Sequence, residues 1–208
     1  IFSNTAALTI AIGSSILLIV YSLRLKRQPL TGNFAVSAAT ALAFIYGTVA
    51  AQAGLSRADA SDGILGMSSM NDIVTLASSW HGDWRAGIFP AAFSFLFHFG
   101  REVIKDIEDQ AGDRAMRART LPLVYGLGAA QAAATAAFAI LILATLLPFY
   151  LGIYNTTYLW IVIGGVDLVL VAAIYLLWKK PIQYRMRQIS AVLKADMLVG
   201  LAAIYFGR

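Results

Sequence analysis

The stretch REVIKDIEDQAGDR, residues 101–114, holds five of the chain's eleven acidic residues. If one helix continues through it, Glu102, Asp106, Asp109 and Asp113 stand 4, 3 and 4 residues apart and fall on a single stripe. Like charges at that spacing repel one another. Such a stripe is unfavourable unless a cation sits on it. Hard divalent cations such as Mg²⁺ take carboxylate oxygens, commonly one or two from the protein with the rest from water and substrate phosphate. Arg101, Lys105, Arg114, Arg117 and Arg119 flank the acids and are able to pair with them or with phosphate oxygens. A solvated loop laced with salt bridges is the plainer reading. The shared face, at the exit of an apolar helix, favours a metal–phosphate site. Gly112 is expected to end or loosen the helix, so that Asp113 comes from the turn.

A second basic constellation, Tyr21-Ser22-Leu23-Arg24-Leu25-Lys26-Arg27 followed by Gly32-Asn33, closes the first apolar run. Its cations suit anionic lipid headgroups or the far side of a diphosphate site. Asp167 falls near the middle of an apolar segment, where an acid marks a functional site by default; a hydrogen-bonded packing role is equally open. His98 lies two turns before Asp106 and reads as a satisfied interfacial residue.

The elements that must position these groups are membrane helices. Hydrophobic residues make up 59% of the 208 residues and charged residues 13%, against roughly 45–50% and 25% in soluble domains. A bilayer core of about 30 Å needs about 20 apolar helical residues. Six segments approach this: 3–23, 33–55, 86–104, 121–147, 158–178 and 189–206. The last is the weakest, with Lys194 and Asp196 in its first turns. The long connection 56–85 carries a Trp80-His81-Gly82-Asp83-Trp84 cluster, expected as an outer loop with interfacial tryptophans. The alanine-rich run 128–139 suits close helix packing in lipid.

The basic residues alternate between connections. Arg24, Lys26, Arg27, Arg101, Lys105, Arg114, Arg117, Arg119, Lys179, Lys180, Arg185 and Arg187 lie on one side, and only Arg57 and Arg85 on the other. This asymmetry places the basic loops, and the acidic stretch with them, in the cytoplasm. It also puts the start of the first helix outside, which an odd number of preceding helices would explain. The absence of cysteine excludes disulfides, a thiol nucleophile and thiolate metal sites. The net charge of +5 reads as cytoplasmic loops and a phosphate site, not as a nucleic-acid surface.

The segment GREVIKDIEDQAGDRAMRARTLPLVYG, residues 100–126, resembles the second aspartate motif of the UbiA superfamily of intramembrane prenyltransferases. Thr120-Leu121-Pro122, Gly126, Tyr21-Ser22, Leu25-Lys26-Arg27, Gly32-Asn33, Leu193-Lys194, Met197 and Gly200 extend the resemblance over nearly the whole chain. It implies an all-α polytopic bundle in which these six helices correspond to the fourth to ninth of nine. The chain then forms a single domain, 1–208, lacking the first aspartate motif and the helices around it, and is expected to be N-terminally truncated. It implies Mg²⁺-dependent transfer of a prenyl group from a prenyl diphosphate at the cytoplasmic face of the membrane. Asp106, Asp109 and Asp113 would hold Mg²⁺, while Lys26, Lys105 and Arg114 would bind the diphosphate. Tyr21 would contact the diphosphate or face the allylic cation. Within the superfamily, the motif most resembles the ether-lipid branch, whose acceptor is geranylgeranylglyceryl phosphate. An aromatic acceptor of the quinone, tocopherol or chlorophyll type is the alternative. A transporter or non-catalytic membrane protein is the reading from another class, although a transporter places its polar groups nearer the midplane.

Overall fold

A computed structural model describes residues 5–25, 28–61, 87–179 and 183–207. Among these the chain is helical, with no strand. Helix α1 is Thr5–Leu23, α2 is Thr31–Ser61, α3 is Ile88–Glu108 and α4 is Gln110–Ala115. Helix α5 is Leu121–Tyr125 and α6 is Leu127–Tyr150. Helix α7, Thr156–Ile161, passes through a π-helical segment, Val162–Asp167, into α8, Leu168–Trp178; α9, Gln183–Phe206, closes the bundle. Lys26 and the Trp80–Trp84 cluster lie outside the described residues, and α2 runs to Ser61, into the expected loop.

By length and composition, five spans among the described residues can cross a membrane: Thr5–Leu23, Thr31–Ala51, Leu127–Tyr150, Thr156–Trp178 and Arg185–Phe206. The expected third segment, α3, forms a helix but is not among them. Its second half carries Arg101, Glu102, Lys105, Asp106 and Glu108. What α3 lacks in hydropathy it gains in position. Pro90, Ser94, Phe97, Gly100, Ile104 and Ile107 recur every three or four residues and are all buried. That face packs against α2, α6 and α9, so α3 is the central pillar.

Helix α6 meets α3 through small residues. Ala130, Ala134, Ala137, Phe138 and Leu141 are buried, and the Phe138 ring lies where a side chain at position 100 would stand. Glycine at 100 is therefore a packing requirement. On the other flank α1 buries little: Ile12, Ile16, Leu18 and Ile19 are exposed. Apolar side chains facing outward are the expected surface of a helix in lipid.

Three expected boundaries are corrected. The fourth segment is two helices, because Gly126 has φ 87°, a left-handed value that glycine tolerates and other residues resist. The sixth helix starts at Gln183, so Lys194 and Asp196 lie well inside it. Gly112 does not end the acidic helix. The backbone loosens at Asp109 (φ −89°, ψ 7°) while Asp109 N–H still donates to Lys105 O and Asp113 N–H to Asp109 O. Asp113 therefore stands on helix, and the reversal comes at Arg117, φ 53°.

Candidate active site

The carboxylates lie on the last turns of α3 and on α4, beyond the apolar half of α3. The Asn33 amide, from the first turn of α2, donates to Asp106 Oδ2 at 2.9 Å. Asn33 is itself buried, and Ser37 Oγ donates to its carbonyl at 2.6 Å. This contact joins the second basic constellation of the sequence to the acidic stretch, 73 residues apart. Tyr21, at the end of α1, is in electrostatic range of both Glu102 and Asp106. Arg101 Nη1 donates to Glu102 Oε1 at 2.7 Å, and Lys105 Nζ lies 4.0 Å from Glu102 Oε2.

Burial pushes the Asp106 carboxyl up to about 7; the Asn33 amide and Lys105 oppose this, while Asp113 and Glu102 add to it. Asp113 is also raised, first by burial and then by Asp109, with the nearby Thr120 hydroxyl and Lys105 pulling the other way. These are carboxylates with too little positive charge around them. Asp109 and Asp113 line a common hollow with Glu108, Ala111, Gly112 and Met116. Arg114 is exposed on the same short helix.

Among the described residues, no three or more His, Cys, Asp or Glu side chains are close enough to hold a metal ion by themselves. The expected trio of Asp106, Asp109 and Asp113 is thus a line of carboxylates and not a closed cage. An under-neutralised line of this kind fits Mg²⁺ shared with a diphosphate, since Mg²⁺ uses one or two protein carboxylates alongside phosphate oxygens.

The same helix carries an apolar cavity. Phe93, Phe97, Leu141, Val162, Val166 and Met197 line a space of about 120 Å³, with Ser94 and His98 on the α3 side. A larger space of about 710 Å³ between α2, α3 and α9 shares Phe44, Pro90, Leu201 and Ile204 with it. Asp106 follows His98 by eight residues, about 12 Å along the axis at 1.5 Å per residue. His98 is a satisfied side chain, as expected: its Nδ1 lies 2.8 Å from Ser94 O.

Asp167 has the partner that its sequence did not name. Thr145 Oγ1 donates to its Oδ1 at 3.2 Å, and Tyr158 Oη donates to Thr145 O at 2.8 Å. The π-helical segment ends on Asp167 and places it on this network. Asp196, on the last helix, is a second acid within the bundle. It is buried, both its oxygens lack a hydrogen-bond partner, and it lines the apolar cavity. Its signal in the sequence is an acid flanked by apolar residues, muted by the late start assigned to that helix.

Comparison with known proteins bears on the family of the chain. A digeranylgeranylglyceryl phosphate synthase of Methanoculleus marisnigri is 33% identical over 202 residues, covering 96% of this chain and 62% of the relative. The enzyme of the same name from Methanothermobacter thermautotrophicus is 29% identical over 168 residues, covering 81% of this chain and 49% of the relative. A solved structure on the biosynthesis of digeranylgeranylglyceryl phosphate synthase in membranes superposes with a TM-score of 0.76 at 26% identity, covering 98% of this chain and 62% of that one. The chain therefore spans about half to three fifths of the length of the proteins it matches. The UbiA prenyltransferase family matches residues 1–190. With that match laid over the carboxylate line, the apolar cavity and the membrane helices, the chain belongs to the UbiA prenyltransferase family.

Proposed function

We propose that the protein carrying this chain transfers a geranylgeranyl group from its diphosphate to geranylgeranylglyceryl phosphate, a step of ether-lipid synthesis. The observation that carries the reading is a single helix, α3, with an apolar cavity along its first half and an under-neutralised carboxylate line at its end. A prenyl diphosphate has the same two-part character. The relatives' names supply the acceptor class.

Asp106, Asp109 and Asp113 are the residues to hold Mg²⁺ against the diphosphate. A divalent cation held there would neutralise charge on the leaving group and so favour cleavage of the C–O bond. Lys105 is exposed and only loosely paired with Glu102, so its ammonium is free to turn to a diphosphate oxygen. Arg114 and Lys26 are the further cations proposed for that role. Tyr21 stands at the Asp106 end and offers an aromatic face to an allylic cation. Phe93, Phe97, Leu141 and Val166 exclude water that would otherwise quench that cation. The excess of Arg and Lys in the connections on this side supports a site at the cytoplasmic face.

The test is incubation of the purified protein with geranylgeranyl diphosphate, Mg²⁺ and each acceptor in turn. Product is expected with geranylgeranylglyceryl phosphate. Product from an aromatic acid alone would overturn the acceptor assignment.

A further inference from the structure

The acceptor in that reading carries a phosphate of its own, and the carboxylate line does not hold it. A second hollow, of about 300 Å³, lies between α3 and α9 and is lined by Arg101, Lys105, Glu108, Asp109, Arg187, Ser190, Ala191 and Lys194. At about 100° per residue, Arg101, Lys105 and Glu108 share one strip of α3, roughly 100° from Glu102 and Asp106, and Asp109 falls between the two strips. On α9, Arg187, Ser190, Ala191 and Lys194 are spaced for one face. Four cations line the hollow with two carboxylates, and Glu102, outside it, pairs with Arg101 and lies 4.0 Å from Lys105, which leaves one positive charge in excess.

Arg101 is informative because it is not a solvated surface cation. Its side chain is 13% exposed, one nitrogen is used on Glu102, and its buried Nε–H has no hydrogen-bond partner. A buried guanidinium donor left unmade is costly. Among the described residues, Arg187 and Lys194 make no ion pair. A planar guanidinium fork with an open Nε–H suits bidentate binding of phosphate. A phosphate monoester near neutral pH carries about −1.5 to −2, and Arg187 and Lys194, which have no ion-pair partner among the described residues, face it with Arg101.

We propose that Arg101, Arg187 and Lys194 form the site for the phosphate monoester of the acceptor lipid, separated from the diphosphate site by Asp109. Resting on the glycerol-phosphate reading above, the inference adds how the two anions are kept apart. The hollow with Asp109 and Asp113 takes the metal and the leaving group, and the hollow with Arg101 takes the acceptor headgroup. Glu108 and Asp109 line both hollows and so form the wall between them.

The test uses Arg187→Gln and Lys194→Gln, singly and together, because both side chains are exposed and their loss leaves the core intact. KM for geranylgeranylglyceryl phosphate is expected to rise at least about tenfold in the double variant, and KM for geranylgeranyl diphosphate to stay within about twofold. Preference for this acceptor over the same lipid with its phosphate removed is expected to fall by a similar factor. A rise confined to the donor's KM would assign the hollow to the diphosphate and overturn the proposal. Unchanged KM values, with altered retention on anionic vesicles of phosphatidylglycerol, would assign it to bulk lipid headgroups and overturn it too. If the wild-type protein transfers nothing to geranylgeranylglyceryl phosphate, the functional reading itself fails, and this site assignment fails with it.

Discussion

Replacing Asp106 by Asn should make the metal-free protein more stable while removing its response to Mg²⁺. In the folded state the Asp106 carboxyl sits at about 7 against an ordinary value of 3.8. Each pH unit of that difference corresponds to about 1.4 kcal/mol, so the ionised carboxylate costs the fold up to about 4 kcal/mol. The sign follows from the direction. A folded-state value above the unfolded one means that the stability present below pH 3.8 is lost as pH rises through about 7. Asn is close in shape to the protonated acid, carries no charge, and its oxygen accepts from Asn33 as Oδ2 does now. In detergent without divalent cation, Asp106→Asn should therefore match the wild type near pH 4 and exceed it progressively up to about pH 8. At about 2–4 °C per kcal/mol for a chain of this size, the gain in Tm is up to roughly ten degrees. Mg²⁺ with a diphosphate should raise the Tm of the wild type at pH 8 and leave the variant's nearly unchanged. A variant less stable than wild type at pH 8 without metal, or equally stabilised by Mg²⁺ and diphosphate, would refute the reasoning.

Four further outcomes are expected. Asn33→Ala removes the hydrogen bond that holds the Asp106 carboxyl down, so the metal-free protein should lose more stability as pH rises, and the loss should extend to higher pH; an unmoved dependence of Tm on pH would count against the contact. Gly100→Val forces a side chain into the Phe138 ring and should cost about 1–3 kcal/mol, read as a lower Tm that Phe138→Leu partly restores. Tyr158→Phe deletes the bond to Thr145 O and should lower stability by about 1 kcal/mol with little effect on KM for the diphosphate. Asp196→Leu replaces a buried carboxylate without partners and should raise the Tm at neutral pH; a fall would show that the carboxylate is paired in the membrane.

Much of the fold was legible because apolar runs of membrane length leave few alternatives. The acids of 101–114 stand out in the sequence as a candidate site because five carboxylates gather at one helix exit. Other features depend on contacts that periodicity does not encode. Gly126 splits one apolar run into two helices through its backbone conformation alone. The central role of α3 hides behind its charged second half, which lowers its hydropathy while its buried face still recurs every three or four residues. Asn33 stood in the basic constellation, but nothing in its spacing told that its amide reaches Asp106 across 73 residues. The cationic hollow combines two helices remote in sequence, so Arg187 and Lys194 read separately as ordinary loop and helix-end charges.

Asp106, Asp109 and Asp113 are proposed to serve divalent-cation-dependent prenyl transfer. The most direct test is transfer of radiolabelled geranylgeranyl from its diphosphate to geranylgeranylglyceryl phosphate, measured with Mg²⁺ and with EDTA. The wild-type protein is compared with the variant carrying Asp106→Asn, Asp109→Asn and Asp113→Asn, once thermal unfolding has shown the variant folded. Labelled product is expected from the wild type with Mg²⁺ only, and none above background from the folded variant. Product in EDTA, or undiminished turnover by the variant, would contradict this role.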